Sequence, residues 1–137
     1  MLYPRDSIDF NLISPPFSAL SLNNLRLQVK LGYGEEERKN LQFVRFDIRI
    51  RFETLPPGCF SDQLQQTVCY AELSEHLTRI CLKEYHLIEH LGWTAFSHLK
   101  SHLPKTLKLW IKVTKENPPI SNLQEGASFA LGDWNEF

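Results

Sequence analysis

The chain has 137 residues, 42% hydrophobic and 23% charged, with a formal net charge of -1. That is enough for one domain with its own core, and the near-neutral balance excludes a basic nucleic-acid surface or an electrostatic membrane anchor. No apolar run approaches the roughly 20 residues that span a bilayer, and the start, with Asp6 and Asp9, does not read as a secretory leader. Cys59, Cys69 and Cys81 form no CxxC pair, which predicts a reducing, cytoplasmic setting without a disulfide framework.

Residues 1–24 contain three prolines and little periodicity and read as an N-terminal extension to a domain over 25–137. Leu25, Leu27, Val29 and Leu31 then alternate with Arg26, Gln28 and Lys30, which predicts a first strand. Gly32-Tyr33-Gly34 breaks it, and the charged stretch from Glu35 to Asn40 connects it to a second strand. There Val44, Phe46, Ile48, Ile50 and Phe52 point inward, while Arg45, Asp47, Arg49 and Arg51 point out. The two make an antiparallel hairpin with one polar face.

Pro56-Pro57-Gly58 ends the hairpin, and a connector through Ser61-Asp62 reaches Thr67-Val68-Cys69-Tyr70. From Tyr70 the period changes: Leu73, Leu77, Ile80 and Cys81 recur at three and four, which predicts an amphipathic helix. A second helix carries Leu87, Ile88, Leu91, Ala95, Leu99 and Leu103, closed by Pro104. Leu107, Leu109, Ile111 and Val113 form a third strand that runs to Lys115 and stops at Pro118-Pro119. A fourth covers Ala127 to Leu131 after Gly126. The order β-β-α-α-β-β predicts an α+β domain, a four-stranded antiparallel sheet with two helices on one face. Its exposed edges would be removed by joining sheets from several subunits into a closed barrel.

Four residues at element ends have the chemistry of a pocket. Lys115 sits at the mouth of a strand before a stiff loop, either as a solvated strand-end lysine or as a group held rigidly against a ligand. Glu37 belongs to a glutamate triplet beside a glycine turn, which is equally the pattern of a solvated charge run. Glu89 interrupts the apolar run Leu87-Ile88-Glu89-His90-Leu91. It either faces water or, walled by Leu87 and Ile88, grips a planar ligand with two adjacent N–H donors. Tyr70 is either an aromatic staple at a helix start or a proton donor. His86 with His90, and His98 with His102, have the i,i+4 spacing of a zinc site. No third ligand is in register, so no metal is expected.

In order and spacing the chain resembles the dihydroneopterin aldolase family of folate biosynthesis, from about Leu25 to Leu131. The resemblance is carried by Gly32 to Gln42 (GYGEEERKNLQ), Asp62 with Thr67-Val68-Cys69-Tyr70, Leu87 to Leu91, and Lys115 to Ile120 (KENPPI). It implies the tunnelling fold, with four subunits closing a barrel, two rings stacking into a homo-octamer, and sites shared between neighbours. It implies a pterin substrate, no cofactor and no metal. Under it Glu89, beside Ile88, anchors the pterin through its 2-amino group and ring N3–H. Lys115 is the catalytic lysine, Tyr70 is supplied across the interface, and Glu37 lies near the substrate side chain. Val68 and Cys69 line the pterin, Cys69 by packing only. The loop GYGEEERKNLQ also looks like the sister enzymes that epimerise dihydroneopterin triphosphate at C2', so epimerase is the alternative, and a non-catalytic pterin-binding oligomer a second one.

Overall fold

The computed structural model describes residues 15–136. The elements in chain order are β1 (Ser18–Leu31), α1 (Glu35–Arg38), β2 (Gln42–Phe52), α2 (Gly58–Ser61), a 3₁₀ turn (Leu64–Gln66), α3 (Tyr70–Ile80), β3 (Glu84–Tyr85), α4 (Ile88–His102), β4 (Lys108–Lys115) and β5 (Ala127–Gly132). The strands form one sheet in the order β3-β1-β2-β4-β5. β3 pairs parallel to β1, and the other neighbours are antiparallel. The sheet is therefore five-stranded and mixed, not the four-stranded antiparallel sheet expected from the sequence. The added strand is two residues long, too short to alternate visibly.

β1 begins at Ser18, seven residues before the expected Leu25 and inside the stretch read as an extension. The reason is a bulge. Leu22 pairs with Ile48 and Leu25 with Phe46, so Asn23 and Asn24 together face Asp47 alone. The extra residue shifts the inward parity from Leu20 and Leu22 to Leu25 and Leu27, which hides the strand's first half from a period-2 reading. Asn24 takes φ 57° there, and its N–H donates to the Asp47 carboxylate at 2.9 Å. Of the rest of the expected extension, residues 1–14 lie outside the described residues.

The core forms where the predicted apolar faces meet. Val44, Phe46, Ile48 and Ile50 from β2, with Leu109, Ile111 and Val113 from β4, are fully buried under Leu77, Leu91, Ala95 and Leu99 of the two long helices. The opposite sheet face is more covered than a wet face would be. Trp110 is buried there, the Arg49 guanidinium lies 4.9 Å from its ring, and Arg26 lies 3.5 Å from the Phe43 ring. Tyr85 caps α3: its hydroxyl donates to the Ile80 carbonyl at 2.9 Å. Burial pushes the Cys81 thiol up to about 12, so it stays protonated and inert.

These elements separate two ends of the molecule. At one end lie the C-terminal ends of β1, β3 and β4, the start of β2 and the N-terminus of α4. At the other lie the end of β2, the start of β4, the end of α4 and the start of α3. α3, 11 residues, is about 16 Å long and β4, 8 residues, about 26 Å.

Candidate active site

The first end is built around Lys115, the last residue of β4. It pairs with Val44 on one side and Ala127 on the other, so its backbone is locked between two strands. Its side chain is only 11% exposed, and its Nζ donates to the Glu37 carboxylate at 2.5 Å. Lys115 is thus not a solvated strand-end lysine, and Glu37 is not a free member of a charge run. Glu36 of the same triplet does face water, paired with Lys39 at 2.7 Å.

Two glycines make the Lys115–Glu37 pair sterically possible. A Cβ on Gly32 would stand 2.4 Å from the Glu37 carboxyl carbon, so the glycine is the floor on which that carboxylate lies. Gly126 has φ +81°, and a Cβ there would meet the Lys115 carbonyl oxygen at 2.2 Å. It lets β5 close against the end of β4. Gly126→Ala should therefore cost about 1–3 kcal/mol through the left-handed φ and the backbone clash. Chemical denaturation measures it, and an unchanged midpoint would remove this role. The loop between β1 and β2 is fastened by Arg38, which donates to the carbonyls of Gly32 and Tyr33 at 2.9 and 2.7 Å. Gln42 adds a donation to the Glu37 carbonyl at 3.2 Å. The next residue after Lys115 continues the ladder: the Glu116 N–H donates to the Phe43 carbonyl, and its carboxylate takes both Arg26 donors at 2.9 and 3.0 Å.

Glu89 belongs to the same end. Gly32 N–H donates to the Tyr85 carbonyl at 3.0 Å, and α4 starts three residues after Tyr85. Glu89 lies in the first turn of α4, where a carboxylate is favoured by the helix dipole. Ile88 packs half-buried on the core. Glu89 itself is exposed and Leu87 is 48% exposed, so Leu87 and Ile88 do not wall off the carboxylate within one chain.

Tyr70, Val68 and Cys69 are at the other end. Val68 and Cys69 line a cavity of about 610 Å³ bounded by Phe52, Leu73, His102 and Leu107. Tyr70 opens α3 and is 62% exposed, so it staples nothing in its own chain. The chain brings Glu37 and Lys115 together, sets Glu89 on the same end, and holds Tyr70 apart from them.

The sequence reading missed a third histidine. His76 of α3 meets the His98–His102 pair of α4, with its Nδ1 2.9 Å from His98 Nε2. It comes from a different helix, so no spacing within α4 could show it. Burial, then the neighbouring His102, His76, Arg79 and Lys83, hold the His98 ring below its ordinary value.

Solved structures share this fold. An Escherichia coli dihydroneopterin aldolase crystallised with neopterin superposes with a TM-score of 0.73 at 17% identity, over 84% of this chain and 97% of that one. A Burkholderia dihydroneopterin aldolase bound to guanine gives 0.66 at 14% identity, over 88% and 93%. These define the class: an α+β tunnelling fold with a curled, five-stranded mixed sheet. The family model of dihydroneopterin aldolase (FolB) matches residues 20–130. A probable dihydroneopterin aldolase of Chlamydia pneumoniae is 33% identical over 114 residues, 82% of this chain and 85% of that protein. The dihydroneopterin aldolase of Staphylococcus epidermidis is 29% identical over 111 residues, 80% and 91%. The chain belongs to the dihydroneopterin aldolase family, lyases of folate biosynthesis. No helix among the described residues is long and apolar enough to cross a membrane.

Proposed function

We propose that the chain is an active cytoplasmic dihydroneopterin aldolase, working as a homo-oligomeric ring, paired into an octamer, with each site shared by two subunits. One observation carries the reading: the Lys115–Glu37 ion pair lies at one end of the sheet and Tyr70, with Val68 and Cys69, at the other. About 16 Å of helix lies between Tyr70 and the end of α3 nearest Lys115, so one chain cannot close both groups on one small substrate. A neighbour's Tyr70 end set against this chain's Lys115 end can. Five strands with free edges also favour such a ring over a lone monomer.

The chemistry uses the substrate as its own electron sink. In 7,8-dihydroneopterin the C6=N5 imine is conjugated to the side chain. Lys115 in its neutral amine form, directly or through a water, takes the 2'-hydroxyl proton, and the Glu37 carboxylate beside its Nζ stabilises the ammonium that forms. The C1'–C2' bond breaks, glycolaldehyde leaves, and the electrons reach N5, which takes up the proton that Lys115 removed, relayed through water. Tyr70 of the neighbour then protonates C1' of the enamine, N5 loses its proton, and 6-hydroxymethyl-7,8-dihydropterin results. No step needs a metal or a cofactor, because the imine does what a Lewis acid would do. Re-addition of glycolaldehyde to the other face gives the C2' epimer as a minor product.

Glu89 fixes the pterin through paired N–H···carboxylate bonds, with Ile88 beside it and Val68 and Cys69 packing on the ring from the neighbour. Glu89→Gln keeps the size but turns one acceptor into a donor. Pterin affinity should fall at least about tenfold. Calorimetry on the folded variant checks it, and unchanged affinity would reject the anchor. The activity itself is tested by incubation with unphosphorylated 7,8-dihydroneopterin and separation of the pterins. Hydroxymethyl-dihydropterin with glycolaldehyde is expected. An enzyme acting only on the triphosphate and giving only the epimer would replace this reading.

A further inference from the structure

The histidine cluster lies where α3 crosses α4, at the cavity end of the fold. Its three rings converge, with centroids 4.9 Å apart for His76–His98, 4.6 Å for His76–His102 and 4.5 Å for His98–His102. One nitrogen from each ring lies within 4.8 Å of the others. We propose that His76, His98 and His102 form a three-histidine site for a divalent ion of the zinc type, which clamps α3 to α4.

The donor set fits the ion. Neutral imidazoles are the common ligands of zinc, and three histidines with one open position make a recognised shell. Zinc–nitrogen bonds of about 2.0–2.1 Å in a tetrahedron put the ligand nitrogens roughly 3.4 Å apart. The present separations, 2.9 Å for one pair and up to 4.8 Å in the set, straddle that value. Small ring rotations close the shell, and His102, being exposed, has room for them. Its tautomer is already fixed. A carbonyl can only accept, so the His102 Nδ1–H donates to the His98 carbonyl at 2.8 Å, leaving Nε2 with its lone pair for the ion. His76 and His102 also line the cavity of about 610 Å³, so the fourth position opens to space for a water. Glu72, one turn before His76 and on the same cavity wall, adds a negative charge.

Two cations oppose the ion: Lys83, whose charge acts on His98, and Arg79, which also contacts a ring. Arg79 Nη2 lies 3.2 Å from His76 Nδ1 and donates to it. Arg79 is exposed and must swing out before metal enters. The cluster is at the opposite end of its own chain from Lys115, on the cavity that Val68 and Cys69 also line and that the proposed shared site gives to a neighbour's pterin; the proposal does not rest on that reading, because metal binding is read without turnover.

The test is metal binding. Protein freed of metal by chelation and gel filtration is titrated with zinc by calorimetry, and with Co²⁺ for its tetrahedral visible bands. The expected result is one ion per chain with a Kd below about 1 µM, the cobalt bands, and a Tm that rises with zinc. His98→Gln and the exposed His102→Gln should each weaken binding at least about 100-fold and lose the Tm shift. His86→Asn, in the other i,i+4 pair, should bind as wild type. Arg79→Ala should bind about 2- to 10-fold more tightly, since a competing donor is gone. Circular dichroism verifies that each variant is folded. No binding in this range, binding that survives either glutamine, or binding lost in His86→Asn would overturn the site.

Discussion

Lys115→Ala should slow both cleavage of dihydroneopterin and formation of its C2' epimer by about 10²–10⁴-fold, the usual cost of losing a positioned acid–base group. Deprotonation of the 2'-hydroxyl precedes both branches, so both products fall together. The side chain is nearly buried and its Nζ sits 2.5 Å from Glu37, so alanine also strands a carboxylate. Lys115→Met retains the packing and should lose activity to the same degree, which separates chemistry from folding. Chromatography of the pterin products measures both rates. Cleavage lost with epimerisation retained would mean that the lysine acts only after the carbon–carbon bond has broken.

Tyr70→Phe should behave differently. Only the aldolase branch needs a proton delivered to C1', so net cleavage should slow by about 10²-fold or more while epimer formation persists. The ratio of epimer to hydroxymethyl product therefore rises. The position tolerates the change, because Tyr70 is 62% exposed and its ring supports no packing in its own chain. Equal loss of both products would remove the role of proton donor.

Much of the fold was legible because burial follows the pattern of side chains. Val44, Phe46, Ile48 and Ile50 alternate, and all four are fully buried. Leu73, Leu77 and Ile80 recur at helical spacing, and all three are buried on α3. What could not be read has identifiable causes. The bulge at Asn23 and Asn24 reverses parity inside β1, and β3 offers only two residues to a periodicity.

The site was legible as residue types but not as geometry. That Lys115 and Glu37 pair depends on Gly32 and Gly126 leaving room for a carboxylate and a strand end. Neither glycine differs in sequence from one that merely ends an element. His76 joins the other two histidines only through helix packing, so the cluster needs three dimensions to be seen. Tyr70 was correctly placed at a helix start, yet nothing local could tell that the helix points it away from Lys115.

The measurement that bears most directly on the shared site is a mixing experiment. Lys115→Ala and Tyr70→Phe chains are co-expressed with different tags, mixed oligomers are isolated, and cleavage of dihydroneopterin is timed. A site formed by Lys115 of one chain and Tyr70 of its neighbour is intact when a Tyr70→Phe chain donates the lysine and a Lys115→Ala chain the tyrosine. Random assembly makes that about a quarter of the sites, so mixed oligomers should recover roughly a quarter of wild-type cleavage. Mixed oligomers no more active than the average of the two parent variants would mean that Lys115 and Tyr70 do not serve one site across an interface.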